Sequence, residues 1–334
     1  SFSARCTAFR LSGCGTAYPL AVMQDGCVAP GPVPGKGVGL LALRSLVVDE
    51  LLVAEPPLLS VPSVESHRRR VASRHPELSA ALRSEDMRRL NELIARDTSL
   101  AEEVARRLLA LPALRRCDFL ALGDAYPPLA DVRPGAYVRL EAPPPGAAEA
   151  LRAAQGVVVR REGGRVDVLV AGGQEVSMEV NHLRLLTSKS VSGIFLTNAV
   201  TLDGEDLAQV YKDFSRLNHS CRPNARAIQL EDMRGVFAIQ PIPAGEEVTI
   251  AYFDVDSCMP ADSDRIRAIA GYIGCDGASL HVGLVRQQLY AKWGFHCACD
   301  RCAVAADDSE QALGQWLALA APAEAPCQRP AEVT

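Results

Sequence analysis

Three cysteines fall within six residues near the end of the chain, in Cys297-Ala298-Cys299-Asp300-Arg301-Cys302. Such a run supplies three thiolates, and tetrahedral zinc takes four nitrogen or sulfur ligands. His296 adjoins Cys297 and is expected to point away from the same ion. The fourth ligand must come from elsewhere, with Cys221, Cys258 and Cys275 as candidates. Asn218-His219-Ser220-Cys221 sets a His beside a Ser and a Cys. Hydrolysis is a poor reading of it, because no acidic residue is placed to orient the His and G-x-S-x-G is absent. A plain Asn-His turn is the bland alternative. In Gly245–Tyr252 an alternating strand puts Val248, Ile250 and Tyr252 on one face. A strand Tyr is ordinarily a core or edge residue. Gly35-Lys36-Gly37-Val38-Gly39 permits close backbone approach by a ligand or a strand crossing. It is no dinucleotide fingerprint, since no helical pattern follows.

The elements that must position these residues are short. Residues 1–32 are irregular, with Pro30-Gly31-Pro32 at their end and Cys6, Cys14 and Cys27 at spacings that match no zinc finger. Residues 33–65 read as two or three strands broken by turns. From 66 to 126 the chain reads as helical: Leu90, Leu93 and Ile94, then Val104, Leu108 and Leu111, keep helical spacing. Ser99 with Glu102 forms a capping box, and Pro112 follows the helix end. Residues 131–186 give four or five strands with turns at Gly163-Gly164 and Gly172-Gly173, as in a small barrel. Pro143-Pro144-Pro145-Gly146 is a loop inside it. Tyr137 is its one aromatic residue, so no aromatic cage for a reader function is present. Ile194-Phe195-Leu196-Thr197-Asn198-Ala199-Val200 reads as a strand.

At 334 residues with 48% hydrophobic content, the chain holds one large domain or two small ones around a real core. Aromatics are only 5%, so Leu, Val and Ala fill that core. The net charge of −5 argues against bulk binding to nucleic acid or an anionic membrane. Arg68-Arg69-Arg70 reads as the solvated start of a helix. The most apolar stretch, Val38 to Leu59, is interrupted by Arg44, Asp49, Glu50 and Glu55 and is no membrane span. The 11 cysteines read as reduced thiols plus a metal site, hence an intracellular protein of nucleus or cytoplasm. A start at Ser1 reads as a fragment or processed form.

In this order, N-H-S-C, the G-E-E-V-T-I-A-Y strand and the cysteine run resemble the SET-domain protein lysine methyltransferases. The likeness is greatest to the SET-and-MYND type and related fungal and protist SET proteins. It covers roughly residues 33–62 and 188–302. Only Cys117 lies among residues 66–130, so the MYND finger is lacking. The resemblance implies an α+β, mainly β fold of short sheets with a pseudoknot-like crossing. A helical insertion (66–130) and a small SH3-like barrel insertion (131–186) would interrupt it. The second SET part (187–295) would be followed by a zinc-bound post-SET segment and tail (296–334).

By the same resemblance, S-adenosylmethionine would be held by Lys36, Gly37, Val38, Asn198, Asn218, the His219 backbone, Tyr252 and Phe295. Lys36 and Val38 stand where the family usually has Arg and Asn. Tyr252 would be catalytic, and Trp293 with Tyr252 would wall the lysine channel. One structural zinc would sit on Cys221, Cys297, Cys299 and Cys302. The implied partner is a protein carrying the target lysine, histone or not, with no nucleic acid or membrane. The barrel would be a spacer or a surface for a protein partner. Two alternatives stand: a catalytically inactive SET-like scaffold, and a zinc-dependent interaction module in which the methyl donor is structural or absent.

Overall fold

The computed structural model describes residues 8–10, 17–19, 26–62, 64–76, 84–141, 151–201, 207–252, 277–299, 302–303 and 311–315. Cys6, Cys14, Cys258, Cys275, the Pro143–Gly146 loop and most of the segment after Cys302 lie outside these residues. The strands are β1 (Ala8–Arg10), β2 (Ala17–Pro19), β3 (Val28–Val33), β4 (Gly37–Ala42), β5 (Leu51–Glu55), β6 (Leu59–Pro62), β7 (Ala136–Leu140), β8 (Gln155–Glu162) and β9 (Arg165–Val170). They continue with β10 (Glu175–Glu179), β11 (Leu183–Ser190), β12 (Val200–Thr201), β13 (Leu207–Val210), β14 (Asn218–His219), β15 (Ala225–Leu230), β16 (Met233–Ala238) and β17 (Glu247–Ile250). The helices are α1 (Val64–Arg74), α2 (Ser84–Ala95), α3 (Thr98–Ala110), α4 (Ala113–Ala121), α5 (Val191–Asn198) and α6 (Gly277–Trp293).

The strands form several short sheets, and the one that matters for the site runs β14-β17-β4-β3. Here β17 pairs antiparallel with β4 (Glu247 opposite Leu41) and parallel with β14 (Asn218 opposite Thr249). The inner faces of β4 and β17 put Leu40, Ala42, Val248 and Ile250 into one buried cluster with Val53, Tyr211 and Val236. Residues 28–32, expected to be irregular, are instead part of β3. Its Pro30 and Pro32 read as breakers, but β3 is the sheet's edge, where a missing N–H costs no ladder bond. Cys27, just before it, is buried and donates to the Leu52 carbonyl.

Helices α1–α4 and α5 enclose a second core built on Leu100, Val104, Leu108 and Phe119. Asp97 caps α3, its carboxylate accepting from the Leu100 amide at 3.0 Å. The expected Ser99–Glu102 box is therefore not what caps this helix. Ser99 donates to Asp97 at 2.6 Å, because the chain turns helical one residue before it. Of residues 194–200, expected as a strand, 194–198 lie instead in α5, whose N-cap Ser190 accepts from the Gly193 amide at 3.0 Å. Seven of its eight residues are buried, so it carries no polar stripe. A short helix buried all round has the same unbroken apolar text as a buried strand.

Strands β7–β11 form a five-stranded antiparallel sheet in the order β10-β9-β8-β7-β11. Val138, Val158 and Val168 face its own core with Leu129 and Met178. Tyr137, Val157 and Leu169, one residue away on each strand, join the helical core instead. The middle of the sheet is thus buried on both faces, while edge strand β10 keeps Glu175 and Ser177 exposed.

Two outcomes follow from this packing. Replacing residues 131–186 by a flexible linker uncovers one side of the helical core, so the thermal midpoint should fall by several degrees and an apolar dye should bind. An unchanged midpoint would show that the sheet folds independently. For Asp97, burial would raise the carboxyl pKa, but hydrogen bonds from His67, Ser99 and the Leu100 amide, with Arg70 nearby, hold it far below the ordinary range. A depressed pKa contributes stability above the unfolded value of roughly 3.9 and loses it as pH falls toward the folded value. Asp97→Ala should therefore cost about 1 kcal/mol at neutral pH. Urea midpoints of the two proteins should converge below about pH 4, and a penalty independent of pH would exclude the carboxylate charge as its source.

Candidate functional site

The glycine segment, the N-H-S-C turn and the strand before Tyr252 meet at one crossing. A Cβ built on Gly39 would lie 2.9 Å from Asn218 Nδ2 and 2.7 Å from Val33 Cγ2, so only glycine lets β4 pass here. Gly37 has φ +80°, which sets the turn after Lys36. Asn218 donates from Nδ2 to Glu247 Oε1 at 2.8 Å, and Lys36 Nζ reaches Glu247 Oε2 at 2.7 Å. The buried Asn224 amide acts as a further strand partner for β17. It donates to the Glu247 carbonyl and accepts from the Thr249 amide, both at 2.8 Å.

Beside this crossing lies a cavity of about 760 Å³. Of the residues expected to hold a cofactor or wall a channel, Lys36, Gly37, Val38, Asn198, Asn218, Tyr252 and Trp293 all line it. His219 and Phe295 are not among its lining residues. Asn198 projects from the end of α5 with its amide nitrogen on the Gly123 and Ile194 carbonyls at 2.8 and 2.7 Å. Its carbonyl oxygen is the end left to accept from a ligand. Tyr252 donates from its hydroxyl to the Leu217 carbonyl at 2.9 Å. Burial first, and the Glu247 charge second, push its phenol above the ordinary value, so it stays protonated at neutral pH. Trp293 packs its ring 4.7 Å from that of Tyr252 and donates to the Thr197 carbonyl at 2.9 Å. The end of α6 that carries Trp293 is held by α2, whose Arg88 and Asn91 donate to the Lys292 and Ala291 carbonyls.

Cys221, Cys297, Cys299 and Cys302 come together, their sulfurs all within 4.8 Å of one another. The sulfur of Cys221 is 3.9 Å from that of Cys297 and 3.5 Å from that of Cys302. A tetrahedral ion with ~2.3 Å metal–sulfur bonds sets its sulfurs about 3.8 Å apart. The donor set therefore fits one zinc-like dication. Without a cation, hydrogen bonds from Cys221 and Cys302 favour charge on Cys297, while hydrogen bonding with Cys297 pushes the Cys221 thiol strongly up. Crowded thiols cannot all ionise unless a positive charge lies among them. His296 stacks on Tyr290, with ring centroids 5.0 Å apart, as expected of a residue pointing away from the cluster. Phe295 packs against the cysteines. His219 accepts at Nδ1 from the Tyr252 amide, which leaves Nε2–H to face Cys221 Sγ at 3.2 Å.

Sequence reasoning passed over Glu247 and Lys292. The signal for Glu247 was a carboxylate at the start of an apolar alternating strand, where charge is costly unless answered. Nothing in the sequence alone put Lys292 on the cavity wall.

The SET domain family profile matches residues 37–253. Histone-lysine N-methyltransferase SET5 of Saccharomyces cerevisiae is 33% identical over 96 residues, 28% of this chain and 14% of that protein. Histone-lysine N-methyltransferase SMYD3 of Mus musculus is 27% identical over 123 residues, 36% of this chain and 23% of that protein. The chain thus spans less than a quarter of the length of either relative. The crystal structure of the SET domain of LSMT, bound to lysine and AdoHcy, is 13% identical and covers 83% of this chain and 54% of that one. Its TM-score is 0.30, too low for a structural inference. The family match takes in the crossing, Asn198, the N-H-S-C turn and Tyr252, and on it this chain belongs to the SET domain family.

Proposed function

We propose that this chain is a protein-lysine N-methyltransferase that uses S-adenosylmethionine. The observation that carries the reading is that Lys36–Val38, Asn198, Asn218, Tyr252 and Trp293, from separate stretches of the chain, line one cavity. Its volume of about 760 Å³ lies in the ~300–1,000 Å³ range of ligand pockets. The names of the relatives point the same way. When bound, S-adenosylmethionine supplies a methyl group on a sulfonium. Asn198 would hold its amino-acid end through the side-chain oxygen, with Asn218 and the Gly37 backbone on the opposite wall.

The protein's own work is alignment and charge control. Trp293 and Tyr252 form an aromatic wall that attracts an incoming lysine cation. The drier cavity then disfavours the ammonium form and frees the amine. Because its phenol stays protonated, Tyr252 orients the amine and the methyl group rather than acting as a base.

We read residues 33–65 and 187–295 as the two SET parts, 66–130 as a helical insertion and 131–186 as an SH3-like insertion that is a spacer or a partner's surface. The crossing at β14 and β17 is read as the family's pseudoknot-like threading. One zinc on Cys221, Cys297, Cys299 and Cys302 would pin the end of the chain to the site. The setting is intracellular, in nucleus or cytoplasm, on a protein substrate. An inactive scaffold is the reading to beat.

Tyr252→Phe keeps the ring and removes only the hydroxyl. It should retain donor binding by calorimetry yet lose roughly 10²–10³ in single-turnover methyl transfer to a protein identified by labelling an extract. Unchanged turnover would remove the hydroxyl from the chemistry, and donor binding with no labelled protein at all would favour the scaffold. Asn198→Ala should weaken donor binding roughly tenfold or more, the loss of one hydrogen bond to a charged group. Elemental analysis should find one zinc per chain, reduced in Cys221→Ser. Full retention at unchanged affinity would exclude Cys221 as a ligand.

A further inference from the structure

Glu55, the last residue of β5, sets its carboxylate against a single helical turn, Phe214–Arg216, that begins 159 positions later. Its Oε1 accepts from the Phe214 amide at 2.6 Å and from the Asp213 amide at 2.9 Å, and its Oε2 accepts from the Lys212 amide at 3.1 Å. The first amides of a helical turn have no partners within it. Asp213 stands at the N-cap, where an Asp side chain ordinarily accepts from them, yet it makes no such bond. Glu55 takes that place from another strand. Burial pushes its carboxyl above the ordinary value, opposed by the bonds from Phe214, Asp213 and Lys212. Three donors on two oxygens favour the ionised form.

The same turn is a wall of the cavity, which Phe214, Ser215, Arg216 and Leu217 line. From Glu55 the bonds run in series to Tyr252. Phe214 gives its amide to Glu55, and its carbonyl accepts from the Leu217 amide at 3.1 Å, which closes the turn. The Leu217 carbonyl then accepts from the Tyr252 hydroxyl at 2.9 Å. Ser215 ties the turn from the other side, its hydroxyl accepting from the Tyr211 amide at 3.3 Å. A phenol has one proton to donate. With that proton spent on Leu217, the direction of the Leu217 carbonyl sets the torsion of the hydroxyl and the way its lone pairs face.

We propose that Glu55 is a positioning residue for Tyr252: its carboxylate holds the Phe214–Arg216 turn so that the Leu217 carbonyl fixes the Tyr252 hydroxyl. The effect on turnover rests on the methyltransferase reading, whereas the bond series does not. Glu55 is not among the residues that line the cavity. It therefore acts on the alignment of the hydroxyl and not on the affinity for the methyl donor. A displaced Leu217 carbonyl lets the O–H turn, and the lone pairs then no longer face the reacting groups.

Glu55→Gln keeps the shape and one acceptor oxygen but turns an amide nitrogen toward a backbone donor. The full chain is made with tyrosine isotopically labelled at Cζ for NMR, and the Tyr252 resonance is identified by its loss in Tyr252→Phe. That resonance should move in Glu55→Gln, while those of Tyr126 and Tyr137, which lie in the helical core, stay in place. Affinity for S-adenosylhomocysteine should stay within about twofold, less than one lost hydrogen bond to a charged group would cost. Single-turnover methyl transfer at saturating donor should fall roughly tenfold or more. In a Tyr252→Phe background the same substitution should cost less than about twofold, because the hydroxyl that it positions is gone. An unmoved Tyr252 resonance, or an equal loss of turnover in both backgrounds, overturns the proposal. If Glu55→Gln does not fold, Glu55→Asp, which keeps the charge on a shorter side chain, is measured in its place. Unfolding of both overturns the proposal, since Glu55 then serves the fold as a whole. A moved resonance in a chain that methylates no protein keeps the positioning and overturns the methyltransferase reading. Methyl transfer with an unmoved resonance does the reverse.

Discussion

Glu247 is answered from two directions by residues far from it in sequence. Lys36, 211 positions earlier, takes one carboxylate oxygen, and Asn218 takes the other. The carboxylate is only 15% exposed, and its two partners fix where it lies. The strand that carries it is therefore locked between the first part of the fold and the turn before Cys221. Tyr252 follows that strand by two residues, so its hydroxyl inherits the lock. The glycine at 39 is the steric half of the same constraint, because the two chains cross where no side chain fits.

Helices α2 and α4 help to shape the cavity rather than merely filling space. Arg88 and Asn91 on α2 hold the last carbonyls of α6, and Trp293 is the next side chain along. Asn198 is reached from the other side, its amide tied to Gly123 just past α4. Two of the cavity's walls are thus set by a region that shares no sequence pattern with the site. Helices packed in this way restrict how far the aromatic wall can move.

The chemistry-bearing residues were legible because their types are rare and their spacing is short. Three cysteines in six positions, or Asn-His-Ser-Cys, are visible without knowing the fold. Cys221 could be chosen over Cys258 and Cys275 only through a family likeness, since sulfurs 76 residues apart leave no local trace. Local rules failed where a partner distant in sequence decides the outcome. Pro30 and Pro32 break a strand unless it lies at an edge, and edges are a property of the whole sheet. The run from Val191 to Asn198 had no polar face because other elements cover every side of it. Glu247 and Lys292 looked like ordinary charges until the segments opposite them were known.

The cysteine cluster also has a consequence in time. Cys221 leaves the ribosome well before Cys297, which lies 76 residues later. At synthesis rates of about 5–20 residues per second, that thiol waits roughly 4–15 seconds for its partners. Throughout that interval it is an oxidisable thiol without its later partners, open to oxidants and to stray metal. The wait closes only when residues 297–302 emerge, so assembly of the cluster is sensitive to the redox state around the growing chain until then.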